Sequence, residues 1–301
     1  MTQATTPALR LSRRVMELPA SQTLALAARA TALKAAGKPV ISFSAGEPDF
    51  SSPACVGEAA KAAIDAGKTH YPPVPGTAQL KEAILRRVKR ETGHVASPDR
   101  VLVSTGAKQV LYNLIHALVD PGDEVLYAAP YWVSYPAMVQ LAGGRGVAIQ
   151  TRAEDDFRLT PADVEAALGP KTKALILNSP SNPTGSIMAR EDLEAIVTLC
   201  LDRGVIVISD EIYGGLIYGD AVGPVALIKA AGKLQGQCTS GACGIAQAAA
   251  AAALDEAAED AERMRQAFER RCALAKSLLS MIPGVSVPNA QGAFYVFPDF
   301  S

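Results

Sequence analysis

Three polar side chains follow the ends of two apolar runs in the middle of this sequence. Asn182 lies in a turn after the run 174–177, and Asp210 and Tyr213 follow the run 205–208. The intervening residues have helical spacing, so the segment predicts a βαβ unit with two parallel strands. Open parallel sheets bind ligands at the carboxyl ends of their strands. A buried carboxylate there needs a cationic or hydrogen-bonded partner; a protonated pyridine nitrogen is one such partner, and helix capping is the alternative role.

Two further features have the residue types of a cofactor site. Residues 104–108, Ser-Thr-Gly-Ala-Lys, predict a strand, a tight turn and a helix start, where free backbone N–H groups and the helix dipole favour a phosphate. The same motif also occurs as an ordinary strand–helix turn. Trp132, the single tryptophan, follows a predicted strand and is suited either to stacking on a flat ring or to packing in the core.

Composition narrows the classes of function. The 301 residues carry a net charge of −1 with no basic block, which argues against binding to nucleic acid or to an anionic membrane. No apolar run reaches about 18 residues, and the N-terminal residues do not have the pattern of a secretory signal. The five cysteines have no C-x-x-C spacing, so we expect a reduced, cytoplasmic protein without a metal site. The three scattered histidines are not expected to be catalytic.

Strands and helices alternate along most of the chain. Helices are predicted at 18–34, 55–66, 78–92, 105–119, 133–142, 163–168, 191–200 and 242–279, the last with room for one break. Strands are predicted at 40–44, 100–104, 124–128, 146–150, 174–177, 205–208, 285–287 and 293–297. This alternation predicts an α/β fold with a mostly parallel sheet and helices on both faces.

Taken together, six motifs resemble those of class I aminotransferases, in the same order along the chain. They are Gly46-Glu47-Pro48-Asp49-Phe50, Tyr71-Pro72-Pro73 with Gly76, Thr105-Gly106-Ala107-Lys108-Gln109, Pro130-Tyr131-Trp132 with Ser134-Tyr135, the turn 178–185, and Ser209-Asp210-Glu211-Ile212-Tyr213. The match is most similar to bacterial aspartate aminotransferases with a lysine in the phosphate loop. It implies a fold type I large domain and an incomplete small α+β domain.

The resemblance implies pyridoxal 5′-phosphate as the cofactor, with binding residues Gly106, Ala107, Lys108, Trp132, Asn182, Asp210, Tyr213 and Tyr71. Gly106 and Ala107 would donate backbone N–H groups to its phosphate, and Trp132 would stack on its ring. Asn182 and Tyr213 would hydrogen-bond the ring hydroxyl oxygen. Asp210 would keep the pyridine nitrogen protonated, which makes the ring an electron sink. Tyr71 would reach the cofactor phosphate of a partner subunit, which implies a homodimer.

Substrate contacts are implied for Gly46, Lys108, Trp132 and Asn182. Lys108 would face the side-chain carboxylate of aspartate or glutamate, and Gly46 would line the α-carboxylate end. The expected substrates are therefore an amino acid and a 2-oxo acid, most naturally dicarboxylic ones.

The chain departs from the family in the segment that carries the catalytic lysine. That lysine forms a Schiff base with the cofactor and moves a proton, and the family places it between the Asp-x-x-Tyr strand and a Gly-Pro pair. Here the ten residues 214–223 between Tyr213 and Pro224 contain neither lysine nor arginine. Lys229 and Lys233 come after this junction, and Lys108 belongs at the phosphate end of the ring. No catalytic residue is therefore assigned, and transamination is expected to be lost. The chain is also expected to stop before the arginine that clamps the substrate α-carboxylate.

Three interpretations follow. The first is an aminotransferase by ancestry that no longer transaminates, and the second is a non-catalytic protein that binds the cofactor or a partner. The third is another class I enzyme, such as an aromatic aminotransferase or a carbon–sulfur lyase.

The expected division is an N-terminal arm and part of the small domain at 1–45, a large cofactor-binding domain at 46–255 with an internal deletion near 219–223, and a linking helix with the start of the small domain at 256–301. In the family, two strands of a seven-stranded sheet lie between the strands at 101–103 and 205–208. Their loss predicts either an open gap or direct pairing of those two strands.

Overall fold

The fold is built around one parallel sheet. The computed structural model describes residues 11–19, 22–43, 46–218 and 231–300. The four strands are β1 (Glu124–Ala129), β2 (Arg145–Gln150), β3 (Thr172–Asn178) and β4 (Ile206–Asp210). Their order in the sheet is β2-β1-β3-β4, and every neighbouring pair is parallel. The register pairs Asn178 with Asp210, so the ends of β3 and β4 lie side by side.

Helices cover both faces of this sheet, as the sequence predicts. The described helices are α1 (Arg13–Met16), α2 (Gln22–Ala35), α3 (Ala54–Asp65), α4 (Ala78–Thr92), α5 (Gly106–Leu118), α6 (Ser134–Ala142), α7 (Pro161–Ala167), α8 (Arg190–Asp202), α9 (Ala231–Cys238), α10 (Gly244–Glu256) and α11 (Ala258–Ser280). The predicted helix 242–279 is thus broken once, at Ala257. No described helix is long and apolar enough to cross a membrane.

Continuous apolar runs explain why the central strands are buried on both sides. Residues 174–177 of β3 are all buried, as expected for a parallel strand covered on both faces. On one face, Ile176 packs in a cluster with Ile115 of α5 and Met138 of α6. On the other, Leu175 packs with Ile196 of α8. The helices on the first face also carry the predicted phosphate loop and Tyr135.

Four predicted strands are wrong in the described residues because they lack a ladder of paired neighbours. Residues 40–43 form no strand, and Ser44 lies outside the described residues. Residues 100–104 include the end of a short 3₁₀ turn and then run without strand pairing. The segments 285–287 and 293–297 form no strands; isolated bridges pair Ser286 with Asp299 and Ile217 with Gly292.

Direct pairing of the segment 101–103 with β4 is not observed. In the described part of the chain β4 is paired with β3 alone, so its other edge has no strand partner among these residues. The carbonyl oxygen of Val103 instead accepts a 2.7 Å hydrogen bond from the side-chain Nε2 of Gln235 in α9. Gln235 is fully buried, so a side-chain amide supplies the donor that a neighbouring strand would supply in a sheet.

Candidate active site

Asp210 ends β4 as a buried carboxylate with neutral donors. It is 7% exposed, its Oδ2 accepts a 2.7 Å hydrogen bond from the hydroxyl of Tyr135, and its Oδ1 accepts one of 3.3 Å from the N–H of Ile212. Burial raises the pKa of Asp210, and the bonds from Tyr135 and Ile212 oppose that rise. Neutral donors leave the charge of an ionised Asp210 uncompensated, so a cation beside it would be stabilised.

Tyr135 is a buried neighbour of Asp210 to which the sequence motifs assign no role. It lies in the first turn of α6 and is 2% exposed, and its ring meets Trp132 edge-on at 5.4 Å between centroids. Burial and the neighbouring Asp210 raise the pKa of its hydroxyl, so Tyr135 acts as a donor. The sequence signal that could have identified Tyr135 is its position three residues after Trp132 in the same motif.

A second hydrogen-bonded group joins three separate segments. Asn182, in the turn after β3, donates from Nδ2 to the hydroxyls of Tyr213 and Tyr295, both at 3.3 Å. Those two hydroxyls lie 2.8 Å apart. Asn182 and Tyr213 come together as the sequence predicts. Tyr295 was missed, because the sequence places it only in a strand of the small domain.

The N-terminus of α5 has the geometry of an uncapped helix start. Its N-cap residue, Thr105, makes no side-chain cap hydrogen bond, and its own N–H donates to Oε1 of Gln109 at 2.6 Å. Gly106 has a positive φ of 79°, and its N–H donates to the carbonyl of Ser104 at 2.9 Å. In this conformation the N–H of Gly106 is therefore already engaged, whereas that of Ala107 belongs to the uncapped first turn.

Lys108 and Trp132 are in direct contact. The Nζ of Lys108 lies 4.9 Å from the centre of the indole ring, a cation–π distance. Trp132 is half-buried and lies beside Tyr135, which in turn binds Asp210. The structure thus links the predicted phosphate end and the predicted pyridine end through two aromatic side chains, Trp132 and Tyr135.

Gly46 lies against the C-terminal segment 290–295. A Cβ added at Gly46 would be 3.0 Å from Phe294 and 3.1 Å from Tyr295, so glycine permits this close approach. The segment is held by backbone bonds from Gly292 to the carbonyl of Gly185 (3.0 Å) and from Ala293 to that of Leu216 (2.8 Å). Segment 290–295 therefore joins the turns that carry Asn182 and Tyr213.

Tyr71 belongs to a different region. It is 91% exposed and lines a cleft of 680 Å³ between the segments 68–72 and 239–245. No contact with the residues around Asp210 is among its described interactions. An exposed tyrosine on such a cleft is available to a neighbouring subunit.

The described residues fit the cofactor that the resemblance implies. The uncapped start of α5 suits a phosphate, the face of Trp132 suits an aromatic ring, and the buried Asp210 suits a protonated ring nitrogen. Tyr213 suits a ring hydroxyl because its hydroxyl can donate, and Asn182 can donate as well if its Nδ2 leaves one of the two tyrosine hydroxyls. No group of three or more potential metal ligands occurs among the described residues.

Comparison with known proteins agrees with this arrangement. The family model "Aminotransferase class I and II" matches residues 38–233 and 217–301. The chain is 42% identical to the aspartate/prephenate aminotransferase of Cereibacter sphaeroides, covering 97% of this chain and 82% of the relative. It is 41% identical to the aspartate aminotransferase of Geobacillus stearothermophilus, with 97% and 83% covered.

A solved structure is similarly close. The aspartate aminotransferase of Thermus thermophilus with maleate superposes with a TM-score of 0.91 at 38% identity, over 97% of this chain and 85% of that one. The alignment with the Cereibacter relative is 328 residues long, which exceeds the 301 residues of this chain. The relative therefore has residues that this chain lacks. The two stretches of the family match overlap at 217–233, a range that includes the positions near 219–223 where the sequence predicts the deletion. The chain belongs to the class I and II aminotransferases, a family that depends on pyridoxal phosphate.

Proposed function

We propose that this chain binds pyridoxal 5′-phosphate at the carboxyl ends of β3 and β4 without transaminating. The observation that carries the proposal is the buried carboxylate of Asp210 with its two neutral donors, Tyr135 and Ile212. A protonated pyridine is the cation that such a carboxylate pairs with in this family. When bound, the cofactor supplies an electron sink for the α-carbon of an amino acid.

Each end of the cofactor has residues suited to hold it. The first turn of α5, with Ala107 and Lys108, is placed for the phosphate, and Gly106 joins it if its N–H leaves the carbonyl of Ser104. Trp132 offers its face once Lys108 moves aside. Tyr213 offers a donor to the ring hydroxyl, and Asn182 offers one once its Nδ2 leaves a tyrosine hydroxyl. These assignments follow the family motifs residue by residue.

Activity requires an amine that this chain lacks in the family's position. Residues 214–223 contain no lysine, Lys229 lies outside the described residues, and the side chain of Lys233 is likewise not described. Lys108 contacts the indole of Trp132, at the predicted phosphate end. Without a positioned base, proton transfer at the α-carbon loses several powers of ten in rate.

The finer assignments are proposals of the same kind. Lys108 favours a dicarboxylic amino acid and its 2-oxo acid, as the names of the aspartate aminotransferase relatives also suggest. Exposed Tyr71 supports a homodimer in which it reaches the partner's cofactor. We retain the division at 45/46 and 255/256, and a cytoplasmic location, which reduced cysteines favour.

The experiment is a titration of the purified full chain with pyridoxal 5′-phosphate, followed by absorbance and by mass spectrometry after borohydride. We expect saturable binding and no stoichiometric adduct on any single lysine. A protein that shows no spectral change would contradict cofactor binding, and a stoichiometric reduced adduct on one lysine would contradict the absence of a substitute amine. Turnover of aspartate and 2-oxoglutarate would contradict the absence of catalysis.

A further inference from the structure

Tyr295 shares hydrogen bonds with both residues that the family motif assigns to the ring hydroxyl. Its hydroxyl lies 2.8 Å from that of Tyr213 and 3.3 Å from Nδ2 of Asn182. The three side chains come from the turn after β3, the turn after β4 and segment 290–295. No motif match gives Tyr295 a role.

The number of protons in this group limits how it can bind a ligand oxygen. A tyrosine hydroxyl has one proton to donate and lone pairs to accept. If Tyr213 donated to Tyr295, Tyr213 would have no proton left for a ligand. If Tyr295 donates to Tyr213, the proton of Tyr213 is free to point outward. Burial and the bond to Tyr213 raise the pKa of Tyr295, so Tyr295 retains its proton to donate.

Packing fixes the ring of Tyr295 in this position. The ring meets that of Tyr213 at 90° with 5.6 Å between centroids, and Gly46 allows its edge to approach closely. Its segment is tied to Leu216, three residues after Tyr213, by the bond from the N–H of Ala293. A donor held in this way is preorganised, because little side-chain freedom is left to lose on binding.

We propose that Tyr295 is a positioning residue for the phenolic oxygen of a 3-hydroxypyridine phosphate. It donates to Tyr213, which also accepts from Nδ2 of Asn182, and thereby directs the one remaining proton of Tyr213 towards that oxygen. This inference rests on the proposed function, since it presupposes that the site takes the cofactor ring.

The test uses Tyr295→Phe, which removes the hydroxyl and keeps the ring. The probe is 4′-deoxypyridoxine 5′-phosphate, which has the ring hydroxyl but no aldehyde to react with amines. Its analogue without the 3-hydroxyl is the second probe. We expect Tyr295→Phe to weaken binding of the first probe by about 3- to 10-fold, the worth of one hydrogen bond, and to leave binding of the second unchanged.

Tyr218→Phe is the matched control. The hydroxyl of Tyr218 donates to the carbonyl of Ala293, so this variant loosens the same segment and has no described contact with Asn182 or Tyr213. It should affect both probes equally or neither. Thermal melts of all variants are recorded first, so that each titration is run at a temperature where the variant is folded.

A second readout separates positioning from a structural role. The ultraviolet band of the bound probe reports ionisation of its 3-hydroxyl, and its pKa should rise in Tyr295→Phe because the anion loses a well-directed donor. In a Tyr213→Phe background, Tyr295→Phe should have no further effect on either measurement. Equal losses for both probes, or an unchanged ionisation, would overturn the role of Tyr295. Failure of the parent chain to bind either probe would instead overturn the proposed function, and this inference with it.

Discussion

The hydroxyl of Tyr135 donates a 2.7 Å hydrogen bond to Oδ2 of Asp210, across 75 residues of sequence. Tyr135 lies in the first turn of α6 and Asp210 ends β4, so this bond connects a covering helix to the end strand of the described sheet. A neutral donor supports the carboxylate without pairing its charge. The site therefore keeps a buried anion whose electrostatic partner is left for a ligand to provide.

Asp210→Asn should raise the stability of the fold at neutral pH and abolish cofactor binding. Because burial raises the pKa of Asp210, the folded state holds its proton more tightly than the unfolded state does, and ionisation of Asp210 costs stability. This cost is absent in acid, grows as the pH rises from the ordinary carboxyl range through the raised pKa, and is complete above it. The variant should therefore melt higher than the parent at neutral pH, and the difference should vanish in acid.

The same variant should lose cofactor binding, as should Asp210→Ala, since both remove the anion that pairs with the pyridinium. Melting curves at several pH values and a titration with pyridoxal 5′-phosphate check both statements. Equally tight binding to Asp210→Ala would show that the role assigned to Asp210 is wrong.

Tyr135→Phe should destabilise the protein by about 2 kcal/mol, because it removes a hydrogen bond to a charged group. The loss should be largest where Asp210 is ionised, and it should shrink as acid protonates the carboxyl group. Urea unfolding at neutral and acidic pH measures it. Tyr131→Phe is the control, since Tyr131 packs on Tyr127 in the same region without a described bond to Asp210.

Purified protein should show no measurable aspartate:2-oxoglutarate transamination. The physical reason is the lack of lysine between Tyr213 and Pro224, which removes both the attached amine and the positioned base. A coupled assay for oxaloacetate at ordinary enzyme concentrations measures this. If turnover were found, Lys108→Met would show whether Lys108 supplies the amine.

One edge of β4 has no strand partner among the described residues, and we expect it to make the protein prone to aggregation. Ile206 is 38% exposed on this edge, where unpaired backbone groups favour association with another strand. Ile206→Lys should slow aggregation on heating, measured by light scattering, whereas Leu201→Lys on the exposed face of α8 should have little effect. We also expect marginal stability; a cooperative transition well above about 65 °C would contradict it.

The sequence predicts the sheet core well because its signals are local. The apolar run 174–177 became β3, and the βαβ unit placed Asn182 and Tyr213 within one hydrogen-bonded group. Residues 101–103 have equally strong strand composition and still form no strand. A strand needs a neighbour as well as a sequence, and residue composition does not show whether that neighbour is present.

The sequence predicts the residues of the candidate site that belong to a family motif with a known role. It misses the residues that reach the site only through three-dimensional packing. Tyr135 and Tyr295 join the site through hydrogen bonds to residues 75 and 82 positions away in the sequence. No periodicity in a single sequence predicts contacts between residues so far apart. Gly46 was predicted as a site residue, yet its contact with Tyr295 is apparent only from the structure.

The attachment of segment 290–295 to Gly185 and Leu216 has a consequence for biosynthesis. A ribosome releases Asn182 and Tyr213 long before Tyr295, so the nascent chain carries an unfinished ring-hydroxyl group while about eighty further residues are translated. The sheet can form during this interval, because its strands all lie before residue 211. Chains halted before residue 295 would then fold their core and still lack the final tyrosine of the site.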